Sequence, residues 1–263
     1  MEKDKLGSKK IAVIGIGHMG KALMRGLLNV GYKKSNLLLS NDSSQNRSVA
    51  TKADWLLLCV KPLVVGQVIT DIKDKLQDKL LISVAAATTI SSINNVIGDK
   101  KQKIARIMPN IAVSCNRGVI GLYSQNISLE EKNELISVLS TLGQVLEVKK
   151  EKDLDILTVL SSCGPAIVAY FLQLVSDYGL KGGLSKKLTN KLVSQTFQST
   201  LSYLLEHKMT SSELITSVAT PGGVTESIIN ALNNNDFNKL FEKAMDNGYT
   251  KIIKLIEQTK FKK

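Results

Sequence analysis

The sequence is poor in the side chains that most enzymes use for acid–base and nucleophilic chemistry. Only two histidines, His18 and His207, occur in 263 residues, and neither has a sequence neighbour that suggests a catalytic triad. The three cysteines, Cys59, Cys115 and Cys163, lack the close spacing of a metal site. These scarcities exclude a metal centre built on clustered Cys and His, and they favour a reaction whose chemistry a cofactor supplies.

Arginine is also scarce, although the chain is strongly basic. The formal net charge is +12 and the pI is about 9.5, yet only four of the 35 basic residues are arginine. Arginine is the side chain that reads nucleic-acid bases bidentately, and the lysines are scattered along the chain. We therefore expect no specific nucleic-acid partner, and a basic surface that attracts an anionic cofactor and substrate. A nucleic-acid binder, the alternative, predicts DNA affinity that falls steeply with salt.

Long apolar runs are missing as well. No unbroken run reaches the length of a membrane span, and the charged and polar start, Met1–Lys10, does not fit a signal peptide. The three cysteines are typical of reduced thiols. We therefore expect a cytoplasmic protein with no membrane partner. The length suits one large domain or two ordinary ones.

One stretch near the start, Ile11–Gly20, carries the strongest signal. It reads I-A-V-I-G-I-G-H-M-G, an apolar run of the kind that forms a buried parallel strand, followed by glycines at the spacing G-x-G-x-x-G. Apolar residues at helical spacing follow over Lys21–Val30. Gly15 permits the tight turn, Gly17 lets the backbone approach a pyrophosphate, and Gly20 lets helix and strand pack closely. The stretch predicts a dinucleotide-binding loop at a helix N-terminus.

Strand and helix signals alternate through the first part of the chain and then give way to helices alone. Further strands are predicted at Leu37–Leu39, Trp55–Val60, Leu80–Ala86, Ile104–Ile107, Val119–Tyr123 and Val145–Val148. Helices are predicted at Val65–Leu76, Ile90–Ile97, Glu130–Leu142, Ile167–Val175, Leu188–Leu205, Ser211–Val218, Thr225–Asn233 and Phe237–Ile256. Because the strand signal disappears near Cys163, we expect an α/β domain over residues 9–162 and an all-α domain over residues 163–263.

The interval after the second predicted strand bears on both topology and cofactor choice. Asn41–Asp54 holds one crossover with a short helix but not a helix, a strand and another helix, so one edge strand and its helix should be missing. At the end of this strand, Ser40, Asn41 and the following serines favour the 2′-phosphate of NADPH. Asp42 favours the ribose diol of NADH, unless it points outward or caps a helix. We expect NADPH, with NADH not excluded.

A second glycine turn lies between two predicted helices, in V-A-T-P-G-G-V-T-E-S-I-I-N (Val218–Asn230). Pro221 ends one helix, Gly222 and Gly223 form a bare backbone turn, and Thr225 begins the next helix. Such a turn offers N–H groups to a small carboxylate. It fits equally a helix–turn–helix corner with Thr225 as the N-cap.

Six motifs, in the same order and over nearly the whole chain, resemble those of the pyrroline-5-carboxylate reductase family. They are I-G-I-G-H-M-G (Ile14–Gly20), C-V-K-P (Cys59–Pro62), S-V-A-A-A-T-T (Ser83–Thr89), M-P-N (Met108–Asn110), C-G-P-A (Cys163–Ala166) and T-P-G-G-V-T (Thr220–Thr225). The resemblance implies NAD(P)H-dependent reduction of 1-pyrroline-5-carboxylate to L-proline, the last step of proline biosynthesis. It also implies a Rossmann domain, a helical dimerisation domain, a homodimer or ring of dimers, and an active site between the nucleotide domain of one subunit and the helical turn of its partner.

The resemblance also assigns site residues. The cofactor would be bound by Gly15, Ile16, Gly17, His18, Met19, Gly20, Ser40, Asn41, Asn46, Cys59, Val60, Lys61, Pro62, Val84, Ala85, Ala86 and Asn110. The substrate would be bound by Glu151, Thr158, Thr220, Gly222, Gly223 and Thr225. Thr225 would be the catalytic residue, because a hydroxyl that bonds to the ring nitrogen can place the imine and steady its changing charge.

The chain also departs from the family pattern. The departures are Ala87 for glycine, Ile111-Ala112 for threonine-proline, Ser161-Ser162-Cys163 for serine-glycine-serine, Ile167 for tyrosine and Ser217 for asparagine. One alternative is therefore a degenerate paralogue that binds NADPH without turnover. Another is a β-hydroxyacid dehydrogenase type of oxidoreductase, in which the K-x-x-N spacing of Lys187–Asn190 would supply a catalytic lysine.

Overall fold

The structure is a computed structural model that describes residues 8–261 and forms two compact units. One contains the described residues as far as Pro165 together with those from Gly248 onward, and the other is Ala166–Asn247. The predicted division at 162/163 lies just before the first boundary, whereas the boundary at Gly248 has no counterpart in the prediction. The charged start, Met1–Lys10, falls mostly outside the described residues.

Seven strands and eleven α-helices lie within the described residues. The strands are β1 (Ile11–Ile14), β2 (Leu37–Ser40), β3 (Trp55–Leu58), β4 (Leu80–Ser83), β5 (Ile104–Pro109), β6 (Gly118–Gln125) and β7 (Gly143–Glu147). The helices of the first unit are α1 (His18–Asn29), α2 (Ser43–Lys52), α3 (Val65–Ile72), α4 (Ile90–Ile97), α5 (Leu129–Ser140) and α6 (Asp153–Leu157). They are followed by α7 (Gly164–Lys181), α8 (Lys186–Glu206), α9 (Ser211–Val218), α10 (Val224–Asn234) and α11 (Phe237–Gln258).

The strands form one sheet in the order β2-β1-β3-β4-β5-β6-β7. The five strands β1 to β5 are parallel to one another, β6 runs antiparallel to β5, and β7 is parallel to β6. The interval between β2 and β3 holds the single helix α2, and within the described residues the sheet ends at β2. The Rossmann-type fold with a missing edge strand is therefore confirmed, because a parallel crossover leaves no room for more.

Both faces of this sheet are covered, as its apolar strands require. Val13 and Leu57 pack into the hydrophobic cluster on one face. Ile14, Leu56 and Leu58 pack into the cluster on the other face. Because successive side chains of a strand point to opposite faces, a strand buried on both sides needs an unbroken apolar run. The carboxyl ends of β1, β3 and β4 consequently lie side by side at one edge of the sheet.

Two local predictions need correction. The strand predicted over Leu80–Ala86 ends at Ser83, because the chain turns through Ala87, whose φ is +59°. The strand predicted over Trp55–Val60 ends at Leu58. In addition, α6 and a π-helical turn over Thr158–Ser162 were not predicted, since this segment mixes polar and apolar residues without a clear helical face.

The second unit, Ala166–Asn247, which we term the helical unit, has almost no core of its own. Among its residues, all of which the structure describes, only Thr189 and Val193 are buried. Large apolar side chains are exposed instead, including Tyr170 (63%) and Tyr178 (76%) on α7. Helices whose apolar faces stay uncovered in a single chain are typical of an interaction surface.

One helical stretch, Asp153–Lys181, is long and apolar enough to cross a membrane by length and composition alone. The expectation that no segment reaches this length was wrong by that measure, because it counted unbroken apolar runs, whereas a helix with scattered polar residues also qualifies. Only 22% of the most apolar window is buried within the chain.

Candidate functional site

The glycine loop after β1 has the backbone geometry that binding a pyrophosphate requires. Gly15 has a φ of +94°, and a Cβ there would lie 2.8 Å from the Cys59 carbonyl oxygen. A Cβ on Gly20 would collide with the Gly15 carbonyl oxygen, whereas nothing lies within 4 Å of a Cβ built on Gly17. Helix α1 begins at His18, and its N-cap, Gly17, contributes no side-chain hydrogen bond. The loop therefore leaves open space against the amide groups at a helix N-terminus.

The ends of β1 and β2 are joined beside this loop. The Gly15 amide donates to the Ser40 carbonyl at 2.9 Å, and the Ile16 amide makes a long contact of 3.4 Å with Asn41 Oδ1. His18 is exposed and Met19 is half-buried. Ile16 and Asn41 consequently lie next to each other at the edge of the open space.

The residues after β2 divide into those that support the turn and those that face solvent. The Ser40 hydroxyl lies within donating distance of Asn46 Oδ1 (2.7 Å) and of the Asp42 carbonyl (2.9 Å), and both Ser40 and Asn46 are buried. Asn41 is exposed. Of the three residues expected around the adenosine ribose, Asn41 is therefore the one that presents its side chain.

Asp42 is used as a helix cap. Its Oδ1 accepts from the Ser44 amide at 2.9 Å, at the start of α2, and these hydrogen bonds hold the pKa of the carboxyl below its usual value. A carboxylate committed to a helix N-terminus is not aimed at a ribose diol. Because Asp42 caps a helix, it does not oppose the binding of NADPH.

The loop after β3 contains a cysteine that is not a nucleophile. Desolvation raises the pKa of the Cys59 thiol to about 12, so the thiol is neutral and acts by packing. Val60 packs against the position that a Cβ on Gly15 would occupy. Lys61 is exposed, and Pro62 opens a short 3₁₀ turn before α3. These residues form a wall beside the glycine loop.

The small residues after β4 and the M-P-N motif after β5 lie at neighbouring strand ends. The Val84 amide donates to the Leu58 carbonyl at 3.1 Å, Ala85 is buried, and Ala86 is half-buried. The side-chain oxygen of Asn110 accepts from two backbone amides, those of Ala112 and Val119, each at 3.2 Å. The Asn110 oxygen therefore holds the loop after β5, and Val84–Ala86 form the turn after β4.

Glu151 and Thr158 are both bonded within the first unit. Glu151 Oε1 accepts from Arg106 Nη1 at 2.8 Å and from the Ile90 amide at 2.7 Å. Thr158 is buried and donates to the Leu154 carbonyl at 2.7 Å. These two substrate-site candidates thus already have protein partners.

Two charged residues of this region escaped the sequence analysis. Arg106 is 1% exposed in the middle of β5, and Asp155 is 6% exposed on α6. Burial raises the pKa of the Asp155 carboxyl, while Arg106 opposes that shift. An arginine inside the apolar run I-A-R-I was the available signal, because a buried charge requires a partner.

The second glycine turn has its own open backbone. Gly222 has a φ of +75° with nothing within 4 Å of a Cβ built there, and the Gly223 amide donates to the Thr220 carbonyl at 2.9 Å. The N-cap of α10 is Gly223, so the alternative with Thr225 as the N-cap was wrong. Thr225 lies in the first turn of α10 and is half-buried.

A carboxylate already occupies one amide of this turn. Glu226 Oε2 accepts from the Gly222 amide at 2.7 Å. The bond shows that the Gly222 amide points outward and can donate to a carboxylate oxygen; that the turn binds a small carboxylate ligand stays a prediction. Among the described residues, no protein group bonds to the hydroxyl of Thr225. Glu226 itself was not among the predicted site residues.

Two family models match the chain. One, described as pyrroline-5-carboxylate reductase dimerisation, matches residues 151–255. The other, described as NADP oxidoreductase coenzyme F420-dependent, matches residues 10–87. Each matched segment contains one of the two glycine turns.

Named relatives and solved structures agree over almost the full chain. Pyrroline-5-carboxylate reductase 2 of Bacillus subtilis is 29% identical over 251 residues, covering 87% of this chain and 88% of that protein. The crystal structure of Plasmodium falciparum pyrroline carboxylate reductase with NADP bound has a TM-score of 0.89 and 30% identity, covering 95% of this chain and 98% of that one. The Coxiella burnetii pyrroline-5-carboxylate reductase structure has a TM-score of 0.82 and 27% identity, covering 95% and 99%.

Proposed function

Because the chain belongs to the pyrroline-5-carboxylate reductase family, we propose that it catalyses the NADPH-dependent reduction of 1-pyrroline-5-carboxylate to L-proline, the last step of proline biosynthesis. The observation that carries the proposal is the pair of open glycine turns, one at Gly17 and one at Gly222, each in a segment that matches a family model. The first suits a pyrophosphate and the second a small carboxylate.

The residues present fit NADPH. The open space at Gly17 suits the pyrophosphate, and the exposed Asn41 together with the serines after it suits the 2′-phosphate. Asp42 does not oppose a phosphate there, because its carboxylate caps α2. Cys59–Pro62 and Val84–Ala86 would flank the nicotinamide half. When bound, the cofactor supplies the hydride, so the protein needs no nucleophile of its own.

The protein's share of the chemistry is to hold the ring and to assist the proton. Reduction adds a hydride to the imine carbon and leaves a proton on the ring nitrogen. A protonated cyclic imine is already electrophilic, so a strong general acid is unnecessary. The Thr225 hydroxyl would bond to the ring nitrogen, and the amides of the Gly222–Gly223 turn would hold the substrate carboxylate. Glu226 would have to release the Gly222 amide when the substrate binds.

We further propose a cytoplasmic homodimer in which residues 163–263 form the dimerisation domain. An apolar groove on the helical unit supports it, because an exposed groove of this kind needs a partner; it is lined by Leu174, Val175, Tyr178, Ile228, Leu232 and Leu240. In this arrangement one subunit supplies the glycine loop and its partner supplies the Gly222 turn. The cytoplasmic location is supported by three cysteines that form no disulfide.

The test is cofactor oxidation by the purified protein with 1-pyrroline-5-carboxylate, NADPH and NADH being compared at equal concentrations. We expect consumption of NADPH, with proline as the product and a lower kcat/KM for NADH. Tight NADPH binding without turnover would instead support the degenerate paralogue. Oxidation of hydroxyacids without imine reduction would support the β-hydroxyacid dehydrogenase type, whose candidate Lys187 is exposed on α8.

A further inference from the structure

The end of α11 is tied to the turn that follows β4. Thr259 is fully buried, and its Oγ1 lies 2.5 Å from the Ala87 carbonyl oxygen. The carbonyls of Leu255 and Ile256, on its own helix, are farther away, at 3.0 and 3.1 Å. A threonine hydroxyl has a single proton to donate, and the nearest acceptor is Ala87. This hydrogen bond joins positions 172 residues apart in the chain.

The residues just after Thr259 contact the same unit at a second point. Phe261 packs against the start of α3, where its Cδ1 lies 3.0 Å from the position that a Cβ on Gly66 would occupy. Phe261 is also among the partly buried residues on the hydrophobic cluster of that sheet face. Thr259–Phe261, which we term the C-terminal anchor, therefore contacts both the turn after β4 and the helix after β3.

The turn that the anchor holds has a backbone conformation that requires support. Ala87 is buried and has a φ of +59°, which is unfavourable for a residue with a Cβ and persists only where the surroundings impose it. The family usually has glycine here. Beyond the turn, the Ile90 amide donates to Glu151 Oε1 at 2.7 Å. The turn is thus fixed at two points, by Thr259 at Ala87 and by Glu151 at the start of α4.

We propose that Thr259 is a positioning residue for the reduction: it holds the Val84–Ala87 turn in the conformation that places the nicotinamide half of the cofactor. The inference rests on the proposed function, because Val84–Ala86 flank the nicotinamide only if NADPH binds as described above. Because Thr259 is fully buried, its side chain would contact neither ligand. Its effect should therefore fall on the nicotinamide end of the cofactor and not on the adenosine end, which would be bound beside Asn41.

The test compares two ligands on the full-length Thr259→Val protein, which keeps the shape of the side chain and loses the hydroxyl. NADPH reports on the whole cofactor site, and adenosine 2′,5′-bisphosphate reports on its adenosine end alone. We expect the Kd of NADPH to rise about threefold to tenfold, in line with the loss of one buried hydrogen bond, and the Kd of the bisphosphate to stay unchanged. Thr259→Ser should restore NADPH binding, because serine keeps the donor.

The matched control is Thr51→Val. Thr51 is exposed on α2, and its hydroxyl donates only within its own helix, to the Arg47 carbonyl at 2.8 Å, so its loss should leave both Kd values unchanged. Equal weakening of the two ligands by Thr259→Val, or no change in either, would overturn the proposal. A wild-type protein that fails to reduce 1-pyrroline-5-carboxylate would count against the proposed function, whereas the ratio of the two Kd values tests the anchor independently.

Discussion

Thr225 is the one side chain to which the proposed function gives a direct role at the reacting atoms. It lies in the first turn of α10, next to a glycine turn whose Gly222 amide already holds a carboxylate. In the proposed complex the remaining contacts with the ligands would be made largely by backbone amides, which would explain how a chain with two histidines can carry out a reduction. The proposed function therefore requires few side chains at the reacting atoms, and Thr225 is the main one.

Replacing Thr225 with alanine should lower kcat/KM by about tenfold to a hundredfold. This corresponds to the loss of one oriented hydrogen bond worth about 1.4–2.7 kcal/mol. Steady-state kinetics with 1-pyrroline-5-carboxylate provide the measurement. Thr216→Ala is the control, because Thr216 is an exposed residue of α9 whose hydroxyl bonds only to the Ser212 carbonyl. Wild-type kinetics for Thr225→Ala would remove the residue from the mechanism.

Asn41 offers a test of cofactor choice at the level of a single residue. Asn41→Asp places a carboxylate where we propose that the 2′-phosphate lies, so the KM for NADPH should rise about tenfold through like-charge repulsion. The KM for NADH should stay the same or fall, because an acidic side chain can accept from the ribose diol. The two cofactors, measured on one preparation, serve as each other's control. An equal rise for both would place Asn41 away from the 2′ position.

At this scale the sequence predicted residue types better than it predicted what they contact. The glycines of the first loop have the required backbone because that requirement is local. Asn46 and Glu151, in contrast, were assigned to ligands and are found bonded to Ser40 and to Arg106. A polar side chain can satisfy a ligand or a protein neighbour, and the spacing of residues in the sequence does not distinguish between the two.

Among the structural elements, the segment before the helical unit is linked to two others by the carboxylate of Glu151. Glu151 connects to β5 through Arg106 and to α4 through the Ile90 amide. The Arg106 side chain is 2% exposed and that of Glu151 is 24% exposed. Loss of the carboxylate would leave a buried guanidinium without its ion-pair partner, which is costly in a medium of low polarity.

Glu151→Ala should therefore lower the free energy of unfolding by about 3–5 kcal/mol. Urea denaturation provides the measurement. Glu147→Ala is a matched control, since the Lys132–Glu147 pair has similar geometry, at 2.6 Å, but is more exposed; its loss should cost at most about 1 kcal/mol. If the two variants had the same free energy of unfolding, the Arg106–Glu151 pair would contribute no more to stability than the exposed Lys132–Glu147 pair.

The existence of most helices and strands was predictable, and their ends were less so. Helices α4 and α9 have the predicted bounds, because each has a clear apolar face and an N-cap residue just before it, Thr89 and Thr210 respectively. The strand β4 ends earlier than its apolar run, since the apolar residues continue into a turn. A turn with a positive φ at Ala87 depends on distant residues that hold it, and no local signal announces it.

At the scale of the whole molecule, the helical unit leaves most of its large apolar side chains exposed in a single chain. With only Thr189 and Val193 buried among its residues, it lacks the apolar burial that stabilises an independent domain. A second copy of the chain is the partner that we propose. Such a dimer would place the glycine loop of one subunit and the Gly222 turn of its partner in a shared site.

Mixing two impaired variants tests this arrangement. Gly17→Val places a side chain in the open space of the glycine loop, where a Cβ meets nothing within 4 Å, and Thr225→Ala impairs the other turn. If sites are shared between subunits, a co-refolded equimolar mixture should recover about one quarter of the wild-type activity, since half of the dimers are mixed and each has one intact site. The separate variants are the controls. No recovery, in a mixture whose mass shows dimers, would mean that each site uses one chain.

Neighbouring residues were sufficient to specify the order of most elements, the backbone geometry of the first glycine loop and the absence of an edge strand. Apolar periodicity, glycine spacing and the length of an interval are all properties of adjacent positions. The uses of Glu151 and Thr259 became apparent only in the folded chain. Each depends on which group lies opposite, and for Thr259 that group, the Ala87 carbonyl, is 172 residues away. Such pairings form through packing of the whole unit, so no local pattern encodes them.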